Sequence, residues 1–178
     1  MARYAPDSNP TGHIPASAEV LALRSDGFLI SADPSRLDLD ATHELLNSTV
    51  WAARIPRAVM ERSIANSICF GVYDEREPQT NERVKQVGFA RVVTDRATFA
   101  YLCDVVIAST HRGLGLSKRL MECVMAHPEL QELRRFQLVT RDAHGLYERY
   151  GFKVTEQPGR AMEKLDAEIY KRMSLKRD

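Results

Sequence analysis

The sequence predicts a mixed α/β domain, a central sheet with helices packed on its faces. Three observations carry this. Between Ser67 and Ile107 the apolar residues follow a period of two, in three consecutive segments separated by charged turns. Before and after that block they fall at helical spacing. A glycine-rich turn, Arg112-Gly113-Leu114-Gly115-Leu116-Ser117, then joins the last of those strands to an amphipathic segment. At 178 residues the chain is about one domain long and can bury a sizeable core.

The elements follow in order. Residues 1–25 carry Pro6, Pro10, Gly12 and Pro15 with no apolar period before Val20-Leu21-Ala22-Leu23, and read as a loose or docked arm. The domain spans residues 26–165. Phe28-Leu29-Ile30-Ser31 is a short strand. Asp40 suits the cap of a helix reaching about Ser48, with Leu45 and Leu46 facing inward. Pro56 suits the first turn of a second helix bearing Val59, Met60 and Ile64 at helical spacing. Strands follow at Ser67–Tyr73, Val84–Thr94 and Phe99–Ile107, with a loop at residues 74–83 and a tight reversal at Asp95-Arg96. Short turns between successive strands predict an antiparallel meander. A helix then places Leu116, Leu120, Cys123 and Val124 on one face and stops at His127-Pro128. Arg135–Thr140 is a further strand, Asp142 a cap for a helix from Ala143 to Tyr150, and Gly151 its left-handed stop. Strands are expected at Phe152–Val154 and Ala161–Lys164, and residues 166–178 read as a helical tail ending in Lys171, Arg172, Lys176 and Arg177.

Composition narrows the function. Lys and Arg number 25 against 24 Asp and Glu, a net charge of +1, so nothing pulls the chain globally toward nucleic acid or an anionic membrane. The stretch Leu102–Ala108 is among the longest apolar runs and is broken by Asp104, far short of the roughly 20 residues a bilayer needs. The 3 cysteines, Cys69, Cys103 and Cys123, are scattered without metal-ligand spacing. They read as free core thiols in a reducing compartment. Met1–Asp7 lacks the apolar core of a secretion signal. The expectation is a cytoplasmic protein without a metal.

The chemistry sits between Tyr101 and Phe152. Gly113 and Gly115 let a ligand approach the backbone closely, and the first turn of the following helix presents free N–H groups at its positive end. With Arg112 beside them, these amides suit a pyrophosphate. A bare strand-to-helix turn without ligand has the same composition. Two nucleotide-binding patterns fail on spacing. A P-loop needs Gly-Lys-Ser/Thr, and a dinucleotide fingerprint needs a third glycine where Lys118 stands.

A second motif follows on a short helix, Leu146-Tyr147-Glu148-Arg149-Tyr150-Gly151-Phe152. Together the two resemble the GCN5-related N-acetyltransferase (GNAT) family. Its acyl-CoA loop, Arg/Gln-x-x-Gly-x-Gly/Ala, is matched at Arg112, Gly115 and Ser117. Its later Leu-Tyr-Glu-x-x-Gly-Phe is matched at Leu146, Tyr147, Glu148, Gly151 and Phe152. The resemblance covers about residues 27–164. Ser117 departs from the usual Gly or Ala, and Thr140 stands where many members carry an Asn that helps hold the cofactor arm.

The resemblance implies the GNAT acyl-CoA N-acyltransferase fold, an antiparallel meander followed by parallel strands that splay apart. It implies acetyl-CoA as co-substrate, its pantetheine arm between the strands at Tyr101–Ile107 and Arg135–Thr140. The backbone of Val105, Val106 and Ile107 would hold the arm and the thioester carbonyl, one N–H facing the developing oxyanion. The amides of Arg112, Gly113, Leu114, Gly115, Leu116 and Ser117 would hold the pyrophosphate, and Thr140 would sit beside the arm. Tyr147 matches the family tyrosine that returns a proton to the leaving thiolate. Asp104, beside the thioester, is the candidate base for the attacking amine, with a structural pairing to an arginine as the competing reading. Cys103 as a nucleophile is disfavoured, since strand alternation points it away from Asp104. His144, beside Tyr147, reads as solvated and Tyr150 as packing. His111 touches phosphate or nothing, and Trp51 and Arg54 lie in the connector that shapes the acceptor pocket in the family. The expected reaction is direct acetyl transfer to a primary amine of a small molecule or peptide. The alternatives are another acyl group, an oxygen acceptor, a non-catalytic acyl-CoA sensor, or an interaction module. A homodimer is a family-level expectation.

Overall fold

The computed structural model describes residues 22–76 and 84–175. Its six-stranded sheet runs in sequence order: β1 (Ala22–Ser25), β2 (Phe28–Ser31), β3 (Ile68–Asp74), β4 (Lys85–Thr94), β5 (Phe99–Ile107) and β6 (Arg135–Gln137). Neighbours from β1 to β5 pair antiparallel, and β6 alone runs parallel to β5. The helices are α1 (Leu39–Asn47), α2 (Arg57–Ala65), α3 (Leu116–Ala126), α4 (His144–Tyr147) and α5 (Ile169–Ser174). The meander read from the period-two segments is therefore present, and β5 spans Phe99–Ile107 as expected.

Alternating strand residues feed two cores. On one face Phe70, Val72, Val92 and Leu102 pack with Leu116, Leu120 and Val124 of α3. On the other, Phe89 and Val106 pack with Leu45 and Leu46 of α1 and Met60 of α2. Each such side chain, removed from water, contributes about 1.5–3 kcal/mol. The reversal after β4 is built by Asp95, whose Oδ1 accepts from the amides of Ala97, Thr98 and Phe99, with Arg96 at φ +61°.

Several boundaries differ from the sequence reading. The last residues assigned to the arm form β1, paired with β2 from Ala22↔Ser31 to Ser25↔Phe28; residues 1–21 lie outside the described range. Arg119 of α3 fixes this hairpin by donating to the Ser25 carbonyl at 3.1 Å and to the Asp26 carboxylate. Helix α1 is capped by Asp38, not Asp40, because Asp38 Oδ1 accepts from the amides of Asp40 and Ala41. Asp40 instead pairs with Arg57 on the surface. Asp142 does not cap α4: Ala143 is its N-cap, without a side-chain cap bond, and the Ala143 N–H donates to Thr140 Oγ1 at 3.0 Å. The strand expected at Arg135–Thr140 ends at Gln137. No strand forms at Phe152–Val154 or Ala161–Lys164. Phe152 packs edge-on against Phe136 and Tyr147 at 5.3 and 6.1 Å, but Val154 and Met162 are 71% and 98% exposed, so neither stretch has an apolar face against the sheet. Of the loop expected at residues 74–83, Asp74 belongs to β3 and residues 77–83 lie outside the described range, as do residues 176–178 of the expected tail.

Candidate functional site

The site begins where the sheet opens. β5 and β6 pair only at Phe99↔Arg135, Ala100↔Phe136 and Tyr101↔Gln137. Beyond Gln137 the chain leaves the sheet, while β5 continues to Ile107. Along Leu102–Ile107 the edge of β5 facing β6 thus has no strand beside it among the described residues, leaving its amides and carbonyls open to a ligand.

On its other edge β5 carries a bulge. Arg91 pairs with Cys103 and Phe89 with Val106, so Asp104 and Val105 together oppose Ala90. Asp104 adopts φ +58°, unusual for a residue with a side chain and a form of strain that gathers at functional sites. The bulge also resets the alternation. Ala100 and Leu102 face the α3 core; after the bulge that face is taken by Val105 and Ile107, and Val106 turns to the α1–α2 core. The simple alternation expected to separate Cys103 from Asp104 therefore fails. Arg91 shares a face with its partner Cys103, and its guanidinium reaches the Asp104 carboxylate, Nε donating to Oδ2 at 2.7 Å.

This ion pair is largely buried, with side-chain exposures of 18% and 11%. Arg91 Nη1 also donates to Ser67 Oγ at 3.2 Å, and Ser67 in turn donates to the Ser63 carbonyl in the last turn of α2. Burial works against the charge of the Arg91 guanidinium, but Asp104, together with Cys103 and Cys69, shifts it upward on balance, so it stays charged. Asp104 Oδ1 bonds to nothing among the described residues. The reading of Asp104 as half of a structural pair is thus present in the geometry, with one carboxylate oxygen left over. Burial pushes the Cys103 thiol up to about 12, and it donates to the Arg91 carbonyl at 3.5 Å; at neutral pH it is a thiol, not a nucleophilic thiolate.

The glycine-rich turn follows β5 directly. Gly113 and Gly115 adopt φ +80° and +75°, and Gly115 caps α3. A Cβ built on either would meet nothing within 4 Å, so the space beside both glycines is open. Among the described residues nothing accepts a hydrogen bond from the amides of Gly113, Leu114, Gly115, Leu116 or Ser117; Lys118 is the first to bond back, to the Gly115 carbonyl at 3.1 Å. These bare N–H groups stand at the positive end of α3, where backbone amides attract an anion. Arg112 lies exposed beside them, its Nε donating to the Ile107 carbonyl at 3.3 Å.

Tyr147 comes from α4, which Tyr150 ties to α3 by donating its hydroxyl to the Lys118 carbonyl at 2.8 Å. Burial and Asp142 push the Tyr147 phenol upward, so it is protonated at neutral pH. Its ring is buried, yet the hydroxyl has no partner among the described residues and keeps contact with solvent, Tyr73 alone having a fully buried, unbonded oxygen. Tyr147, Thr140 and His144 share an open cavity of about 390 Å³ with Phe136, Leu138 and Phe152. Asp104 and Val105–Ile107 do not line it: Asp104 is paired with Arg91 of β4, Val105 and Ile107 turn to the α3 core and Val106 to the α1–α2 core. His144 is exposed, as is Trp51 at 56%, while His111 is buried and turned toward the sheet. Sequence reasoning missed Arg91. Its signal was position alone, one charged side chain in a strand otherwise buried from Gln86 to Val92.

Among the described residues no group of His, Cys, Asp and Glu is placed to hold a metal ion, and no helix is long and apolar enough to cross a membrane. Residues 65–154 match the family model of the acetyltransferase (GNAT) domain. A protein of Gibberella zeae named as an acetyltransferase is 34% identical over 135 residues, 67% of this chain and 75% of the relative. A crystal structure from Xanthomonas campestris, described as an acetyltransferase of the GNAT family, is 48% identical, with a TM-score of 0.73 over 80% of this chain and 96% of that one. Glucosamine-6-phosphate N-acetyltransferase from Arabidopsis thaliana shares the fold at 17% identity and a TM-score of 0.54, over 78% and 97% of the two chains. The chain belongs to the GNAT acetyltransferase family.

Proposed function

We propose that the protein transfers the acetyl group of acetyl-CoA to a primary amine of a small molecule or peptide. The observation that carries this is the row of unbonded amides from Gly113 to Ser117 at the head of α3, in the turn that follows the opened strand β5. In this reading the amides and Arg112 hold the diphosphate, the β5 backbone at Val105–Ile107 holds the pantetheine arm, and Thr140 lies alongside it. Acetyl-CoA supplies an activated acyl group. An N–H of β5 stabilises the oxyanion as the amine nitrogen bonds to the carbonyl carbon, and the C–S bond breaks as the oxyanion collapses. Tyr147 gives its proton to the departing sulfur. Oδ1 of Asp104, left open by Arg91, receives the proton of the amine directly or through a water.

Acetyl-CoA at 100 times its Kd should stabilise the folded chain by about 2.7 kcal/mol, a rise in Tm of roughly 5–10 °C. Release of CoA thiol is then followed against a panel of amines. Tyr147→Phe should lower kcat about a hundredfold or more while acetyl-CoA affinity stays within about twofold. No thermal shift at millimolar acetyl-CoA would overturn the cofactor assignment. A Tyr147→Phe enzyme equal to the wild type at every pH would remove the tyrosine from its role.

A further inference from the structure

We infer that His111 is a positioning residue for the diphosphate loop, a buried peg that fixes the bare amides before the ligand arrives. The inference rests on the assignment of that loop to acetyl-CoA and adds the element that holds it. The amides of residues 113–117 have no acceptor among the described residues, and a Cβ on Gly113 or Gly115 would meet nothing within 4 Å, so little within the turn holds its shape. It must be held from its ends. At the far end Leu116 and Leu120 sink α3 into the core. At the near end Ala108 N–H donates to the Val87 carbonyl at 2.8 Å, and the next fixed point is His111.

His111 is 8% exposed, whereas its neighbours Thr110 and Arg112 are both exposed. Both ring nitrogens are engaged. Nε2 lies 3.0 Å from Asp74 Oδ2 and Nδ1 lies 2.8 Å from Thr110 Oγ1. An ionised carboxylate only accepts, so Nε2 donates to it; in the neutral ring Nδ1 then accepts from the threonine hydroxyl. The ring meets Phe28 edge-on at 6.3 Å between centroids. Asp74 is itself held from several sides. Its backbone pairs with Phe28 of β2 and Lys85 of β4, and its carboxylate accepts from Arg76 N, Nε and Nη2. Those donors hold it below the usual carboxylate range. The peg therefore stands in a socket made by the ends of β2 and β3, one residue before Arg112. With both nitrogens occupied inside the socket, His111 does not reach a phosphate. It acts through the loop, by sparing the ligand the cost of ordering that backbone.

The test uses the whole chain and compares CoA with pantetheine, which lacks the diphosphate, by calorimetry or NMR titration. His111→Phe keeps the ring and loses both polar contacts. It should raise the Kd for CoA about tenfold, roughly one bond's worth of binding free energy, and leave pantetheine within about twofold. His111→Gln, which can still donate to Asp74, should restore most of the CoA affinity. Thr110→Val, at an exposed position that does not threaten folding, should weaken CoA a few-fold and pantetheine not at all. Unchanged CoA affinity in His111→Phe, or equal weakening toward both ligands, overturns the inference. If His111→Phe does not fold, Thr110→Val decides, and wild-type affinity for CoA there overturns it. A wild type that fails to bind CoA overturns the cofactor assignment itself, and the role of His111 falls with it.

Discussion

Gly113 and Gly151 offer a matched pair that separates folding from ligand binding. Both hold left-handed backbone, at φ +80° and +84°, and at neither would an added Cβ meet a protein atom within 4 Å. Alanine at either position therefore carries the same strain and no clash, about 1–2 kcal/mol for a residue with a side chain in that region. For a chain of this length that is a loss in Tm of about 2–8 °C in each variant. Their surroundings differ. Gly151 closes the short helix that carries Tyr147, whereas Gly113 stands among unbonded amides. A methyl group at Gly113 projects into the space a diphosphate would take and separates it from at least one N–H. A hydrogen bond to a charged group is worth about 1.5–3 kcal/mol, so the Kd for CoA should rise about tenfold to a hundredfold. Thermal unfolding with and without CoA, beside calorimetric titration, reads both quantities in the same samples. Equal loss of stability with divergent affinity is the expected pattern. If Gly113→Ala binds CoA as tightly as Gly151→Ala, the turn does not hold the diphosphate. If neither variant loses stability, the strain argument itself is wrong.

Two further outcomes follow from the other side of the sheet. Asp104→Leu alone leaves the Arg91 guanidinium without its partner and should cost about 3–5 kcal/mol by urea unfolding, while Arg91→Met with Asp104→Leu should recover most of that; a double variant as unstable as the single one would contradict the pairing. Burial pushes the thiols of Cys69, Cys103 and Cys123 up to about 12, above the ordinary thiol value of about 8.5 that the unfolded chain keeps. Their contribution to stability is fully present below about pH 8.5 and is lost as pH climbs toward 12, since only the unfolded chain ionises in that window. The native protein at pH 8 should accordingly react slowly with a thiol reagent, and Cys103→Ser should keep its turnover; rapid labelling, or loss of turnover in that variant, would reopen the question of an acyl-cysteine.

Much of this was legible in the sequence because local chemistry decided it. The period-two runs place β3 to β5, His127-Pro128 ends α3, and Gly151 marks a left-handed stop. What was not legible depended on contacts between distant residues. Nothing around Asp104 announces a bulge; it shows only in the register, where Arg91 meets Cys103 and Phe89 meets Val106. Asp38 and Asp40 are equally good caps by composition, and the choice falls to Asp38 because its amide donates to Gln86 Oε1 at 2.9 Å, tying that residue to β4. The strands expected after Gly151 fail because Phe152 is the one residue there with an aromatic cluster to join. His111 was visible as a residue beside the loop, but whether it turned outward or toward Asp74, 37 positions earlier in the chain, was a tertiary fact.

The arrangement divides the labour of the site between the two faces of one strand. Val105 and Ile107 of β5 reach the α3 core, where the helix that presents the bare amides is anchored, while Val106 reaches the α1–α2 core, over which Ala52 and Ile55 bring the connector that holds Trp51 and Arg54. The bulge at Asp104 makes that division possible, since a regular strand would send Leu102 and Val106 to the same side. Arg91 then has a reason to be buried. Its guanidinium clamps the left-handed residue at the switch and links it through Ser67 to the end of α2. A change in the connector between α1 and α2 can therefore reach Asp104 through α2, Ser67 and Arg91 without disturbing the loop at Gly113. On this reasoning substitutions at Trp51 or Arg54 should alter which amines are accepted and how fast, and leave CoA binding as it was.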